Sequence, residues 1–198
     1  MYRIDSKNDF AILKPGFLAW PLLAACALLV PMSAKAKIEP QISHQQQDYQ
    51  LCAQQRVTKA LFFNVVDVGV YYQDCNNATD IFDQHPKLLR FSYLRKVKGK
   101  QFTEGADDFL SKNLTADEKQ TCLTDFTEFN AIYKDVADGD YYDLFVTPGH
   151  GLNLRLNESE LADLDKPDCA APYLNIWFGQ ESMDDDFSEL QTRLKSLN

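Results

Sequence analysis

The sequence predicts an α+β fold in which a large antiparallel sheet is layered with helices. Three patterns indicate it: a β-branched apolar run over 61–72, a hairpin centred on 148–151, and apolar residues at helical spacing over 102–136. The composition, 45% hydrophobic and 25% charged over 198 residues, is typical of one folded globular domain. It excludes a disordered or fibrous chain.

Residues 1–36 carry the pattern of an export signal. A basic start precedes an uncharged run over 17–30, and Ser-Ala-Lys-Ala follows at 33–36. Because a membrane span needs ~20 apolar residues, this pattern predicts a signal peptide cleaved after about Ala36, with an uncleaved anchor as the alternative. The sequence before Cys26 also resembles a lipoprotein box, so a lipoprotein anchored through Cys26 is a second, less favoured alternative. We expect a periplasmic or secreted protein with no transmembrane segment after cleavage.

The charge balance limits the partners of the protein. The chain has 20 Lys+Arg against 29 Asp+Glu and a formal net charge of −9 at pH 7. Such a field repels phosphate backbones and anionic lipid headgroups. Nucleic acid is therefore not an expected partner.

Four cysteines remain after the proposed cleavage: Cys52, Cys75, Cys122 and Cys169. An even number in an oxidising compartment permits two disulfides in any of three pairings. We expect at least one disulfide, and the spacing leaves the pairing open. The Cys-x-x-Cys spacing of a zinc or redox site does not occur.

The first half of the domain 49–198 follows a lead-in, 37–48, that is Gln- and Ser-rich and aperiodic. Strands are predicted over 49–57 and 61–72, the second being apolar enough to be buried on both faces. A short helix over 78–84 should end before Pro86. Alternation then predicts a strand over 88–97.

Two helices are predicted in the middle of the chain. Apolar residues at helical spacing indicate the first over 102–114. Thr115 and Glu118 form a capping box, in which each side chain satisfies a backbone N–H of the other residue. The helix that this box starts should run to about Val136.

The last third begins with the clearest hairpin in the sequence, Pro-Gly-His-Gly between strands 141–147 and 152–157. A helix over 172–178 can start at its proline. A terminal helix over 187–197 follows 184–186, three aspartates that favour the positive end of a helix.

The usual signatures of catalysis and metal binding do not occur in the sequence. The histidines His44, His85 and His150 are scattered and make no metal set, so no metal is expected. There is no phosphate loop or dinucleotide fingerprint, so no cofactor is expected. The basic run 95–100 is interpreted as a solvated turn, and the acidic group 163–165 as a loop rather than a calcium site.

Arg56 is the one candidate that remains, because it lies just before the most apolar strand. An arginine beside an apolar layer can hold a carboxylate or phenolate bidentately. The alternative is an arginine that extends along the sheet edge into solvent. The pattern alone favours that alternative.

Four segments together resemble the chalcone isomerase superfamily, and most closely its bacterial exported branch, the chalcone isomerase-like proteins. They are 52–72, 88–97, 145–154 and 176–179. The resemblance spans 49–198 and implies an open-faced β-sandwich, a large antiparallel sheet layered with helices.

The resemblance also implies where a site lies. Plant members close a flavanone ring, with an arginine that orients a phenolate and hydroxyl side chains that serve a ketone through water. The arginine corresponds to Arg56, the threonine to Val66, the tyrosine to Phe102 and the asparagine to Phe109. The last hydroxyl residue would fall within 172–176. Since Val66 and Phe102 carry no hydroxyl, they cannot stabilise a developing enolate.

The resemblance therefore implies a non-catalytic protein that binds a small apolar anion, such as a fatty acid, as some members of the superfamily do. Arg56 would hold the anionic head, while Val66, Phe102 and Phe109 would line the pocket. Two alternatives stay open. One is an isomerase, or intramolecular lyase, with rearranged polar residues. The other is a structural or interaction protein whose cleft is filled by its own aromatic side chains.

Overall fold

A computed structural model of the chain describes residues 38–59 and 63–197. The strands β1 to β7 are Gln41–His44, Gln47–Lys59, Phe63–Tyr72, Lys87–Tyr93, Tyr141–Thr147, Gly151–Leu156 and Ser159–Leu164. The helices α1 to α5 are Gly99–Asn113, Ala116–Asn130, Pro167–Tyr173, Asn175–Phe178 and Asp185–Lys195. Each strand pairs antiparallel with the next one in the sequence, so the seven-stranded sheet has the order β1 to β7. This curled half-barrel, layered with helices, confirms the predicted fold class.

The two faces of the sheet bury different sets of side chains, because successive residues of a strand point to opposite faces. On β3, Val66, Val68 and Val70 belong to the main core, which the helices cover. Tyr71 points to the other face and belongs to a smaller apolar cluster with Phe145 of β5. Leu88 of β4 belongs to the same cluster, and the β1–β2 hairpin adds Ile42 and Tyr49.

The predicted capping box at the start of α2 is present. Thr115 Oγ1 accepts the N–H of Glu118 at 3.2 Å, and Glu118 Oε2 accepts the N–H of Thr115 at 2.8 Å. The helix ends at Asn130 rather than at Val136. Val136 instead forms an isolated bridge with Val97.

The prediction of a helix over 78–84 is wrong. The chain forms a short 3₁₀-helix, Cys75–Asn77, followed by turns. Asp80 Oδ1 accepts the N–H of Phe82 at 3.0 Å, and Asp83 Oδ1 accepts a backbone N–H two residues later at the same distance. Such local side-chain bonds compete with helix formation.

Two strands lie where no strand was predicted. β1 falls within the lead-in, and β7 extends into the acidic group 163–165 that was interpreted as a loop, covering its first two residues. The predicted helix over 172–178 is divided between α3 and α4. Both hairpin strands flanking the Pro-Gly-His-Gly turn are confirmed.

Two disulfides join distant parts of the chain. Cys52–Cys75 ties β2 to the 3₁₀-helix, and Cys122–Cys169 ties α2 to α3. Disulfides of this kind are typical of proteins that fold in oxidising compartments. Among the described residues, no helix has the length and apolarity that a membrane crossing requires.

Candidate ligand-binding cavity

A cavity of about 410 Å³ lies between the sheet and the helices. Ligand pockets in proteins commonly have volumes of roughly 300–1,000 Å³. The sheet supplies Val57, Val66, Phe91, Tyr93, Leu144 and Leu154. The helices and the segment before α5 supply Phe102, Ala106, Ile176, Trp177, Met183 and Phe187.

Strand register places the sheet side of this lining. Val57 of β2 pairs with Val66 of β3, and Val66 pairs in turn with Tyr93 of β4. On the next pair of strands, Leu144 lies opposite Leu154. Because cross-strand partners point to the same face, these residues form one continuous apolar floor.

Phe102 of α1 is held among tyrosine rings on the cavity wall. Its ring centroid lies 5.3 Å from that of Tyr93 and 5.6 Å from those of Tyr133 and Tyr142. Aromatic pairs at these separations are favourable in tilted or edge-on arrangements. The wall is therefore set by packing, and it is available before any ligand binds.

Two of these tyrosines have their hydroxyls satisfied by the protein. Tyr142 Oη accepts the N–H of Lys134 at 2.8 Å and donates to the carbonyl of the same residue at 3.0 Å. Tyr133 Oη lies 3.1 Å from Tyr173 Oη, which donates to Asn130 Oδ1 at 2.7 Å. Burial raises the pKa of Tyr142 to about 12. Its hydroxyl is therefore neutral at ordinary pH.

Tyr93 differs from its neighbours. It is 6% exposed, and within the described part of the chain its hydroxyl has no hydrogen-bond partner. Burial raises the pKa of Tyr93 well above its ordinary value, and the neighbouring Tyr133 and Tyr142 add a smaller increase. The hydroxyl is therefore neutral, and it can form a hydrogen bond with a polar group of a ligand in the cavity.

Two cations, Arg95 and Lys96, contribute to the cavity lining. They belong to the basic run that sequence reasoning interpreted as a solvated turn, and both are exposed. The run follows the end of β4 at Tyr93 and precedes α1. Its chemistry was visible in the sequence, but its position beside an apolar cavity depends on how the sheet meets α1.

The structure brings only two of the four predicted site residues to the cavity. Val66 and Phe102 line it, whereas Arg56 and Phe109 do not. Arg56 is the neighbour of Val57 on β2, so its side chain points to the opposite face of the sheet.

Arg56 is also already paired on that face. Its Nε and Nη2 donate to the two carboxylate oxygens of Asp67 at 2.6 and 2.8 Å, and half of its side chain is exposed. Phe109 lies two turns, about 10 Å, beyond Phe102 on α1. There the ammonium of Lys112 covers its ring at 5.0 Å.

Metal chemistry finds no support in the described residues, where no group of three His, Cys, Asp or Glu side chains could hold an ion. The cavity is apolar with a few polar groups at its wall, and its charged lining residues are Arg95, Lys96 and the aspartate Asp184. Such an arrangement suits an apolar molecule that carries one anionic or polar end.

Comparison with known proteins agrees with this fold. A family model described as chalcone isomerase-like matches residues 32–190. Among solved structures, 36 chains match, and one of them is a crystal structure of a fatty-acid binding protein from Arabidopsis thaliana. That match has a TM-score of 0.59 and 17% identity, and it covers 85% of this chain and 98% of the Arabidopsis chain. The curated proteins contain no match.

Proposed function

Since the chain belongs to the chalcone isomerase-like family, we propose that it is a non-catalytic protein that binds a small apolar anion such as a fatty acid. The apolar cavity of about 410 Å³ between the sheet and the helices carries this proposal. The Arabidopsis protein of the same fold, which is named as a fatty-acid binding protein, supports it.

The lining supports a proposal for the two ends of such a ligand. An acyl chain gains roughly 25 cal/mol for each Å² of apolar surface that it removes from water. Val66 and Phe102 would contact that chain. Arg95 and Lys96 would hold the carboxylate, since charge-assisted hydrogen bonds from a guanidinium or ammonium are stronger than neutral ones. Arg56 has no part in the site, because it lies on the other face.

The lining also disfavours catalysis of the plant type. Neither Val66 nor Phe102 can position a water on a ketone or stabilise an enolate. The hydroxyl of Tyr93 is the observation that favours the isomerase alternative. Turnover of a chalcone that is lost in Tyr93→Phe would establish that alternative.

Export is part of the proposal. Residues 1–36, which lie outside the described residues, would direct the protein to an oxidising compartment and be removed after about Ala36. The two disulfides support an oxidising environment. N-terminal sequencing of the exported protein tests cleavage at this site. Lipidation of Cys26 would instead add the mass of acyl chains, which the intact mass of the protein reports.

Native mass spectrometry of the purified protein, with extraction and identification of bound lipid, tests the binding. We expect a co-purifying fatty acid or similar anion that is displaced in Val66→Trp, where the indole occupies the cavity. Circular dichroism reports whether that variant is folded.

A pair of charge variants tests the head group without altering the core. Reversal of both Arg95 and Lys96 to Glu should weaken binding of a fluorescent fatty acid about tenfold, since each exposed pair contributes up to about 1 kcal/mol. Arg56→Ala is the matched control and should leave affinity unchanged. Equal losses in the control and the reversed variant, or no loss in either, would contradict the assignment.

A further inference from the structure

The sheet face away from the helices carries a second cavity, of about 440 Å³. One row of cross-strand partners crosses this face, from Leu88 through Phe145 and Asn153 to Asp163. The β1–β2 hairpin covers the apolar end of the row. The cavity lies at the other end, where Asn153 and Asp163 contribute to its lining.

Aromatic rings form one wall of this cavity. His44, at the tip of the hairpin, stacks on Phe145 with ring centroids 4.1 Å apart and an interplanar angle of 26°. Tyr49 meets the same Phe145 ring edge-on at 5.7 Å. Burial, and then the positive charge of Arg155, lower the pKa of His44, so its imidazole is neutral at neutral pH.

The rest of the lining is rich in acceptors. Asp163 and Asp165 carry exposed carboxylates that form no ion pair within the described part of the chain, and no lysine or arginine of that part lines the cavity. Asn153 Oδ1 is buried and has no partner in the same residues. The Nδ2 of Asn153 donates to Asp163 at 3.4 Å, which leaves the carboxylate with further acceptor capacity.

We infer that this cavity is a second ligand site, which binds a small organic cation of the amine or guanidinium class. Carboxylates attract the charge, and a flat cation can lie against an aromatic ring of the cavity wall. A guanidinium supplies several N–H donors in one plane and stacks on rings. The site does not depend on the proposed fatty-acid function, because it lies on the opposite face of the sheet.

Butylguanidinium and its neutral near-isostere butylurea are the probes that test this. In NMR titrations of the purified protein, butylguanidinium should shift the amide resonances of Asn153 and Asp163 saturably, and butylurea should not. Asp163→Asn and Asp165→Asn should each weaken binding about two- to fivefold, as expected for exposed charge pairs. The two substitutions together should weaken it about tenfold.

Glu158→Gln is the matched control. It removes one negative charge from the β6–β7 turn, at the end of these strands opposite to the cavity, and should leave affinity unchanged. Binding of butylurea as tight as that of butylguanidinium would overturn the inference. So would the absence of saturable binding, or a loss in the two aspartate variants no larger than in Glu158→Gln.

Discussion

Two arginine–aspartate pairs on one face of the sheet allow the effect of burial to be measured at nearly constant geometry. Arg90 donates from Nε and Nη2 to Asp143 at 2.7 Å each, and Arg56 donates to Asp67 at 2.6 and 2.8 Å. The side chains of the first pair are each 8% exposed. Those of the second are 51% and 24% exposed.

The perturbation is Asp→Asn in each pair, which removes the charge and keeps the shape. Removal of one partner of a buried pair costs roughly 3–5 kcal/mol, because it leaves an uncompensated buried charge. We expect about 3 kcal/mol for Asp143→Asn, since asparagine keeps one acceptor and Glu39 lies 3.7 Å from the Arg90 guanidinium. Asp67→Asn should cost less than about 1 kcal/mol, because exposed pairs contribute little.

Urea unfolding at pH 7 with both disulfides intact measures the two values. At a slope of about 2 kcal/mol/M, 3 kcal/mol lowers the midpoint by about 1.5 M. A midpoint shift in Asp143→Asn no larger than that in Asp67→Asn would refute the reasoning that burial decides the energy of these pairs.

Three further predictions concern other parts of the molecule. Replacement of both cysteines of the Cys122–Cys169 disulfide by serine should lower the free energy of unfolding by about 4 kcal/mol, as measured by urea unfolding. The disulfide closes a loop with a sequence separation of 47 residues, and its loss restores the conformational entropy of that loop in the unfolded chain. Burial alone would raise the pKa of Asp80, but a backbone N–H donor and the Lys195 ammonium at 2.9 Å lower it below its ordinary value. The stability that this carboxylate adds is therefore present above about pH 4. It is lost as the pH falls through the lowered pKa. In an NMR titration of the Asp80 carboxyl, Lys195→Met should move the midpoint up, and an unchanged midpoint would contradict the pairing. Gly151→Ala should lower the melting temperature more than Gly149→Ala, because both residues have positive φ but only a Cβ at 151 would clash with a backbone carbonyl oxygen, that of Leu164.

The parts of the fold that could be predicted from the sequence are those decided locally. The capping box of Thr115 and Glu118 and the hairpin around 148–151 depend on neighbours a few residues away, and both form as expected. The near-continuous apolar run over 61–72 and the alternation over 88–97 likewise predicted strands, and β3 and β4 form there. These signals agree with one another, which is why the fold class could be inferred before the order of the strands was known.

The parts that could not be predicted depend on distant residues. β7 contains two acidic residues, and it is a strand because β6 offers it an edge and because α2 packs against it. The partner of Cys52 was undecidable for the same reason, since spacing alone leaves three pairings. Arg95 and Lys96 lie beside the cavity only because α1 begins directly after the turn that carries them.

Arg56 shows how a single residue of register decides a site. Ala53 and Val57 are buried in the main core, and the regular pairing between them and β3 leaves Arg56 opposite Asp67 on the other face. Asp67 follows Val66 just as Arg56 precedes Val57, so two opposite charges at non-core positions of adjacent strands were a signal in the sequence for a cross-strand pair.

Turning Arg56 toward the cavity would require a one-residue slip of β2, and such a slip moves every side chain of the strand to the opposite face. Ala53 and Val57 would leave the core, and Cys52 would move away from Cys75, its disulfide partner. The core and the disulfide therefore oppose any state in which Arg56 serves the cavity. Under the proposed function, an anionic head group would instead be held by Arg95 and Lys96, which line the cavity from the turn after β4.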